Sequence, residues 1–164
     1  MIVVSDATPI ISLAKIEMLG ILGRFYDEIL LPKAVFDEVC RNPAFADEAD
    51  AVKKCSYIKV QAVSDAQSIK ILRAAGLDLG ESEAIVLADT LPDSLLLMDE
   101  RKGRQVALNM GIRIIGTLGI LLQAKRLGYV PHIKPLLDTL MNADIRISKQ
   151  LYRSILEQAG EQLN

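Results

Sequence analysis

The sequence is poor in the residues that bind zinc or form disulfides. It has two cysteines, Cys40 and Cys55, and a single histidine, His132, in 164 residues. The cysteines are too far apart for a C-x-x-C pair, and His132 has no partner at a metal-ligand spacing. These features argue against a zinc site and are typical of a protein in a reducing cytoplasm.

Long apolar runs and a strong charge of one sign are also missing. No segment approaches the roughly 20 consecutive apolar residues of a membrane-spanning helix, and no basic segment precedes the apolar N-terminal stretch. The 19 basic and 21 acidic residues leave a formal net charge of −2, which excludes a strongly basic surface. We therefore predict a cytoplasmic protein in which any polyanion site is local.

What the sequence has is an alternation of short apolar runs with longer segments of helical period. The apolar runs predict strands at residues 2–4, 28–31, 57–60, 94–98 and 112–115. Helices are predicted at about 8–24, 33–41, 66–75, 80–90, 101–110, 117–127, 132–141 and 148–159. This order predicts an α/β fold with a mostly parallel sheet and a helical C-terminal tail. We expect a single domain over residues 1–164, with its core in about 1–130 and C-terminal helices in about 131–160.

Two aspartates follow apolar strands. Asp6 ends "MIVVSD" and Asp99 ends "SLLLMD". Each alone is explained as the N-cap of the next helix. Ligands of open parallel sheets, however, bind outside the carboxyl ends of the strands. Two carboxylates at equivalent places repel each other, which favours a shared acidic pocket with a cation between them.

Two helical segments supply further acids. In "PKAVFDEV", Asp37 and Glu38 lie about equally far from the centre of the apolar stripe, so the helical wheel does not choose between them. In "DLGESEAIVLAD", the wheel places Glu81 on the inner face and Glu83 on the outer one. Glu81 also fits a capping pair with Asp78, and that alternative stays open.

Three stretches together resemble the PIN-domain superfamily, in its DUF3368-like group of small proteins related to the toxin nucleases of toxin–antitoxin pairs. They are "VVSDATPIISLAKI", "LGESEAIVLA" and "LLLMDERKGRQVALNMGIRIIGTLGILLQAKRLGYV". The similarity covers most of the chain, including the tail "RISKQLYRSILEQAGE", and lies in the order and spacing of the motifs. It implies a three-layer fold with acidic residues gathered at the sheet edge around Mg²⁺ or Mn²⁺.

Matching these motifs residue by residue implies four acids that act as metal ligands and catalytic residues: Asp6, Glu38, Glu81 and Asp99. Glu38 is preferred to Asp37 because the family's Glu precedes an apolar residue, as Glu38 precedes Val39. Glu81 stands where the family commonly has Asp, and its longer side chain would shift the metal.

Substrate contacts are predicted near these acids. The candidates are Thr8, Arg101, Lys102, Arg104 and Thr117. The three cations begin a helix, where positive charge opposes the helix dipole, and this unfavourable placement suggests a use such as phosphate contact. Thr117 is equally suited to be a helix N-cap.

The resemblance implies a metal-dependent endoribonuclease that hydrolyses RNA phosphodiesters, as the toxin component of a pair with an antitoxin protein. It also implies a homodimer. The alternative is a non-catalytic PIN-like module that binds RNA or a partner protein. A third reading rests on "DATP", which has the D-x-T fragment of haloacid-dehalogenase phosphatases, but Thr8 stands where those enzymes need a second Asp.

Overall fold

The computed structural model describes residues 1–162 and contains a five-stranded parallel sheet. The strands are β1 (Ile2–Ser5), β2 (Glu28–Pro32), β3 (Ile58–Gln61), β4 (Leu95–Leu97) and β5 (Arg113–Ile115). Each of them overlaps a predicted strand. The strands β1, β2 and β4 are buried over most of their length, as their runs of branched apolar residues predict for covered strands.

Helices connect the strands, and three further helices follow β5 within residues 1–162. Within residues 1–162 they are α1 (Ala7–Lys15), α2 (Ile21–Phe25), α3 (Lys33–Cys40), α4 (Ala46–Lys53), α5 (Ala66–Ala74), α6 (Leu79–Thr90), α7 (Arg101–Asn109), α8 (Thr117–Arg126), α9 (Lys134–Asn142) and α10 (Lys149–Gln158). The predicted α/β fold, with a parallel central sheet flanked by helices and a helical tail, is confirmed.

Two parts of the helical prediction are wrong. The helix predicted over residues 8–24 is broken into α1 and α2, because Glu17 adopts a positive φ of 58° and Ile21 begins a new helix. The helix α4 was not predicted, since "ADEADAVK" is too polar to show a clear apolar period. It is nevertheless anchored by Ala49 and Val52, which are both buried.

The strand order β3-β2-β1-β4-β5 determines where a ligand can approach. The chain runs outward from β1 to β3 on one side and then returns to place β4 on the other side of β1. Ser5 pairs with Leu97 at the ends of these two strands, and the Asp6 N–H donates to the Leu97 carbonyl at 2.9 Å. This edge between β1 and β4 is the switch point at which open parallel sheets bind their ligands.

Contacts divide the chain into two compact units, Met1–Ile115 and a second unit that begins at Gly116. The first contains the sheet and α1 to α7, and its helix α6 packs against β1, β2 and β4 as well as α3, α5 and α7. In the second unit α8 contacts α10. The single domain over residues 1–164 stays a prediction. No helix in the described residues has the length and apolar character needed to cross a membrane.

Candidate functional site

Asp6 lies at the switch point as the N-cap residue of α1, and it is only 4% exposed. Burial raises the pKa of its carboxyl group to about 7. The nearby backbone N–H of Ala7 opposes this rise, whereas the negative charges of Asp78, Glu81 and Glu38 add to it. Asp6 is therefore a buried carboxyl group with a raised pKa, in the field of three other acids.

Glu38 reaches the same cluster from α3, which follows β2. A methyl group placed on Gly80 of α6 would lie 3.3 Å from the Glu38 Oε2 atom and 3.6 Å from the Asp78 Oδ1 atom. The missing side chain at Gly80 thus makes room for two carboxylates. Partial desolvation raises the pKa of Glu38, and the charges of Asp78 and Glu81 raise it further.

Asp37, the neighbour that the helical wheel left as an equal candidate, is engaged elsewhere. Its carboxylate forms ion pairs with Lys33 of α3 at 2.9 Å and with Arg41, the C-cap residue of α3, at 3.1 Å. Glu38 therefore lies near the acidic cluster, whereas Asp37 lies on the helix surface, where it pairs with Lys33 and Arg41. The role of Glu38 as a ligand stays a prediction.

Glu81 and Asp78 form a capping box at the start of α6. The Asp78 Oδ1 atom accepts from the Glu81 N–H at 2.8 Å, and the Glu81 Oε2 atom accepts from the Asp78 N–H at 3.0 Å. Burial nevertheless raises the pKa of Glu81. The hydrogen bond from the Asp78 N–H lowers this pKa, and the negative charges of Asp78 and Glu100 raise it further. The capping alternative is thus correct, and Glu81 belongs to the acidic cluster as well.

Sequence reasoning missed Asp78 as a member of this cluster. We considered it only as a helix cap, yet its charge acts on both Asp6 and Glu38. The predicted capping pair already indicated that Asp78 lies near the other acids, because a side chain that accepts from the Glu81 N–H must lie beside Glu81.

Glu83 corrects the helical-wheel analysis. We expected it on the outer side of α6, but its Oε1 atom accepts a hydrogen bond of 3.2 Å from the Ala34 N–H in the first turn of α3. The wheel failed because α3 packs against α6, so α6 is covered on more than one side.

Asp99 lies between β4 and α7 and is half-buried. The N-cap residue of α7 is Glu100, whose Oε1 atom accepts from the Lys102 N–H at 3.3 Å, so the alternative that Asp99 caps this helix is wrong. Since Ser5 pairs with Leu97, Asp6 and Asp99 follow neighbouring strands at the same edge of the sheet. Glu100 also brings its charge to this edge, where it acts on Glu81.

The three predicted cations at the start of α7 have different environments. The Arg104 Nη1 atom donates to the Met98 carbonyl at 2.8 Å, which holds the guanidinium group beside the end of β4. The Lys102 ammonium group lies against Gly76, in the loop after α5. Arg101 is exposed.

The two predicted threonines lie in different units of the chain. Thr8 is exposed in the first turn of α1, two residues after Asp6. Thr117 is 4% exposed and is the first residue of α8 in the second unit. The N-cap residue of α8 is Gly116, so Thr117 is not the cap.

The donor chemistry of the acidic cluster fits a hard divalent cation. The cluster of Asp6, Glu38, Asp78 and Glu81 offers only carboxylate oxygens, and no Lys or Arg in residues 1–162 forms an ion pair with any of them. As the side chains stand, no three His, Cys, Asp or Glu residues of the described chain converge into a ready metal-binding group. Mg²⁺ binds through only one or two carboxylates together with water, which matches such an open arrangement.

The fold and this edge define an α/β protein with a cluster of acidic side chains at the switch point of a parallel sheet. A family model described as DUF3368, a PIN domain, matches residues 2–161, and the chain therefore belongs to this family of PIN domains. PIN domains are generally nucleases and typically use divalent metals. No curated protein and no solved structure matches the chain significantly.

Proposed function

We propose that the protein is a metal-dependent endoribonuclease that hydrolyses RNA phosphodiesters. In this proposal Asp6, Glu38, Glu81 and Asp99 are the metal ligands and catalytic acids, and Mg²⁺ or Mn²⁺ is the cofactor. The observation that carries the proposal is the buried carboxyl group of Asp6. Burial and three neighbouring acids raise its pKa, and no Lys or Arg within residues 1–162 forms an ion pair with it. A divalent cation is the partner that such a group lacks.

The residues of the chain divide the work between binding and positioning. The carboxylate oxygens would hold the cation, and Asp6 must lose its proton before it can do so. A Mg²⁺ or Mn²⁺ ion held by these carboxylates would supply activation of a water and stabilisation of the charge that develops during hydrolysis. Arg104, held by the Met98 carbonyl, offers a positive charge to a phosphate beside Asp99.

The first test is an RNA cleavage assay with Mg²⁺ or Mn²⁺ that compares the wild type with Asp6→Asn and Asp99→Asn. We expect each substitution to lower the cleavage rate by at least about 100-fold, because a metal ligand contributes several kcal/mol of charge stabilisation. Equal rates in all three proteins would indicate a contaminating nuclease and overturn the proposal.

Two pairs of variants, each comparing an acid of the cluster with a nearby acid outside it, test which acids take part in cleavage. Glu38→Gln should reduce cleavage strongly and Asp37→Asn should not, because Asp37 is paired with Lys33 and Arg41 on the helix surface. Likewise Glu81→Gln should reduce cleavage more than Glu83→Gln, since the glutamine at position 83 keeps an acceptor for the Ala34 N–H. A reversed order within either pair would contradict the assignment of that acid.

A second candidate function is a non-catalytic PIN-like module that binds RNA or a protein. It is favoured by the engagement of Glu81 in the capping box and by the absence of a closed three-residue metal group within residues 1–162. Calorimetry with Mn²⁺ distinguishes the two functions. Heat of binding that disappears in Asp6→Asn supports the nuclease, whereas no heat at millimolar Mn²⁺ supports the module.

The toxin role, the antitoxin partner and the homodimer stay predictions from the resemblance. Growth arrest on expression of the wild type, but not of Asp6→Asn, would support the toxin role. Light scattering of the purified chain tests the dimer.

A further inference from the structure

A groove opens beside the acidic cluster, between α5 and the start of α6. Its volume is about 650 Å³, and apolar side chains, among them Val63, Ile69 and Leu79, supply most of its wall. Leu79 directly follows Asp78 and is 39% exposed. The groove therefore begins at the residue next to the acidic cluster.

The charged residues that line this groove are both cations. Lys70 and Arg73 lie on α5, are exposed, and form no ion pair within residues 1–162. Residues three apart on a helix are surface neighbours, with about 5–6 Å between their Cβ atoms. Lys70 and Arg73 therefore place two adjacent positive charges at the groove, although the net charge of the whole chain is −2.

A third cation extends the same side of the molecule. The Lys102 ammonium group lies against Gly76, where a Cβ atom would overlap it. The Gly76 N–H donates to the carbonyl of Arg73 at 3.0 Å, so Lys102 lies near the end of α5 that carries Arg73. The cations thus extend from α5 to α7, and α7 begins directly after Asp99 and Glu100.

We propose that the groove beside α5 binds the single-stranded RNA that flanks the cleaved bond, with Lys70 and Arg73 contacting successive phosphates and the apolar wall contacting bases. This inference rests on the proposed ribonuclease function, because it assigns the path by which the RNA reaches the acidic cluster. Single strands are bound without sequence preference by a positively charged groove that follows the backbone, together with side chains that contact the bases. Those side chains are commonly aromatic, and here the aliphatic wall of the groove takes their place. The planar guanidinium group of Arg73 suits a phosphate in particular.

The test is the binding of a fluorescein-labelled 12-nucleotide oligouridine, measured by anisotropy in EDTA so that metal-dependent cleavage does not remove the probe. We expect the double variant Lys70→Gln/Arg73→Gln to bind about tenfold more weakly than the wild type at 50 mM salt. The slope of log K against log salt should fall by roughly 1.4, which is about 0.7 for each lost phosphate contact to a single strand.

The matched control is Arg24→Gln/Lys54→Gln, which removes the same charge from exposed sites. Arg24 and Lys54 lie on the segments that lead into β2 and β3, at the edge where the strands begin. We expect this variant to bind the probe within about twofold of the wild type, and thermal denaturation should show both variants folded, since all four side chains are exposed. If both variants lose affinity for oligouridine equally, the loss reflects net charge alone, and the inference that RNA binds in the groove is overturned.

Two further outcomes separate this inference from the proposed function. If the groove variant binds oligouridine normally but loses affinity for polyglutamate, the groove takes an acidic protein segment and the inference is overturned. If the variant loses RNA affinity while no protein cleaves RNA, the nuclease proposal fails; binding of single-stranded RNA by the groove is then supported, and its role in leading RNA to a cleaved bond is overturned. If cleavage by the wild type is real and the groove variant binds and cleaves as the wild type does, the inference alone fails.

Discussion

Two carboxylates, Glu161 in the second unit of the chain and Asp6 in the first, have opposite surroundings. In the second unit, Glu161 accepts hydrogen bonds from the Lys125 ammonium group and from the backbone N–H groups of Ile133 and Lys134, all between 2.8 and 3.0 Å. Burial alone raises the pKa of Glu161, but these bonds outweigh it and hold the pKa below its ordinary value. In the first unit, Asp6 has neighbours of its own sign, and its pKa rises to about 7.

The difference shows which acids serve the fold. Glu161 closes the start of α9 and neutralises Lys125, so its charge stabilises the second unit. Asp6, Glu38 and Glu81 repel one another in the folded protein and make it less stable whenever they are ionised. Groups that lower stability without a compensating partner are the ones expected at a functional site.

The largest expected effect is on the pH dependence of stability in metal-free protein. The folded-state pKa of Asp6, about 7, exceeds the ordinary value of 3.8. Between these pH values the unfolded chain releases the proton and the folded protein keeps it, so stability falls by about 1.4 kcal/mol per pH unit and by about 4 kcal/mol in all. Asp6→Asn should remove this part of the slope and be more stable than the wild type above pH 7.

Urea unfolding from pH 4 to pH 8 in EDTA measures this effect. Some slope of the same sign should remain in Asp6→Asn, because the pKa values of Glu38 and Glu81 are also raised. Parallel curves for the two proteins would show that Asp6 is not the group responsible.

The second prediction concerns the opposite case in the second unit. Glu161→Gln should lower stability by about 2 kcal/mol, because hydrogen bonds to a charged group are lost and Lys125 loses its partner. The folded-state pKa of Glu161 is lowered, so its stabilising contribution is present above the unfolded pKa and is lost as the pH falls through the folded-state value.

Hydrogen exchange of the backbone N–H groups of Ile133 and Lys134 tests this prediction locally. Exchange should accelerate in Glu161→Gln and not in Glu157→Gln, since Glu157 is exposed on the preceding helix α10. Unchanged exchange in Glu161→Gln would mean that the carboxylate does not stabilise this helix end.

The strands could be predicted well from sequence because their signal is local. Runs such as "IVV" and "LLL" are apolar throughout, and the sheet buries them as parallel strands. The break at Glu17 was not predictable, because a positive φ at a Glu has no clear sequence signal. The helix α4 was not predicted because only two of its apolar residues, Ala49 and Val52, are buried. The rest of the segment is mostly polar and shows no clear apolar period.

The candidate site was predictable where it depended on strand ends. Asp6 and Asp99 follow strands that pair with each other, as the sheet-edge argument requires. The acids on helices needed tertiary information, because packing of α3 against α6 decides where Glu38, Asp37 and Glu83 point. A helical wheel describes one buried face, and α6 buries consecutive residues from Ala84 to Ala88.

The smallest expected effect on stability comes from the space that Gly80 provides. A Cβ atom at position 80 would lie 3.3 Å from Glu38 Oε2 and 3.4 Å from Val35 Cγ2, so Gly80→Ala must displace the Glu38 carboxylate by a few tenths of an ångström. Alanine favours the helix by up to about 1 kcal/mol over glycine, which offsets that displacement. We expect the free energy of unfolding to stay within about 1 kcal/mol of the wild type.

Metal binding should respond more than stability does. Gly80→Ala displaces the carboxylate of Glu38, a predicted metal ligand. It should therefore weaken Mn²⁺ binding by about three- to tenfold. Calorimetry at pH 8, above the pKa of Asp6, measures this change. Gly20→Ala is the matched control, because Gly20 has a helical φ of −60° and no atom within 4 Å of the added Cβ. If both variants bind Mn²⁺ as the wild type does, Glu38 is not a metal ligand. The proposed ligands would then be Asp6, Glu81 and Asp99.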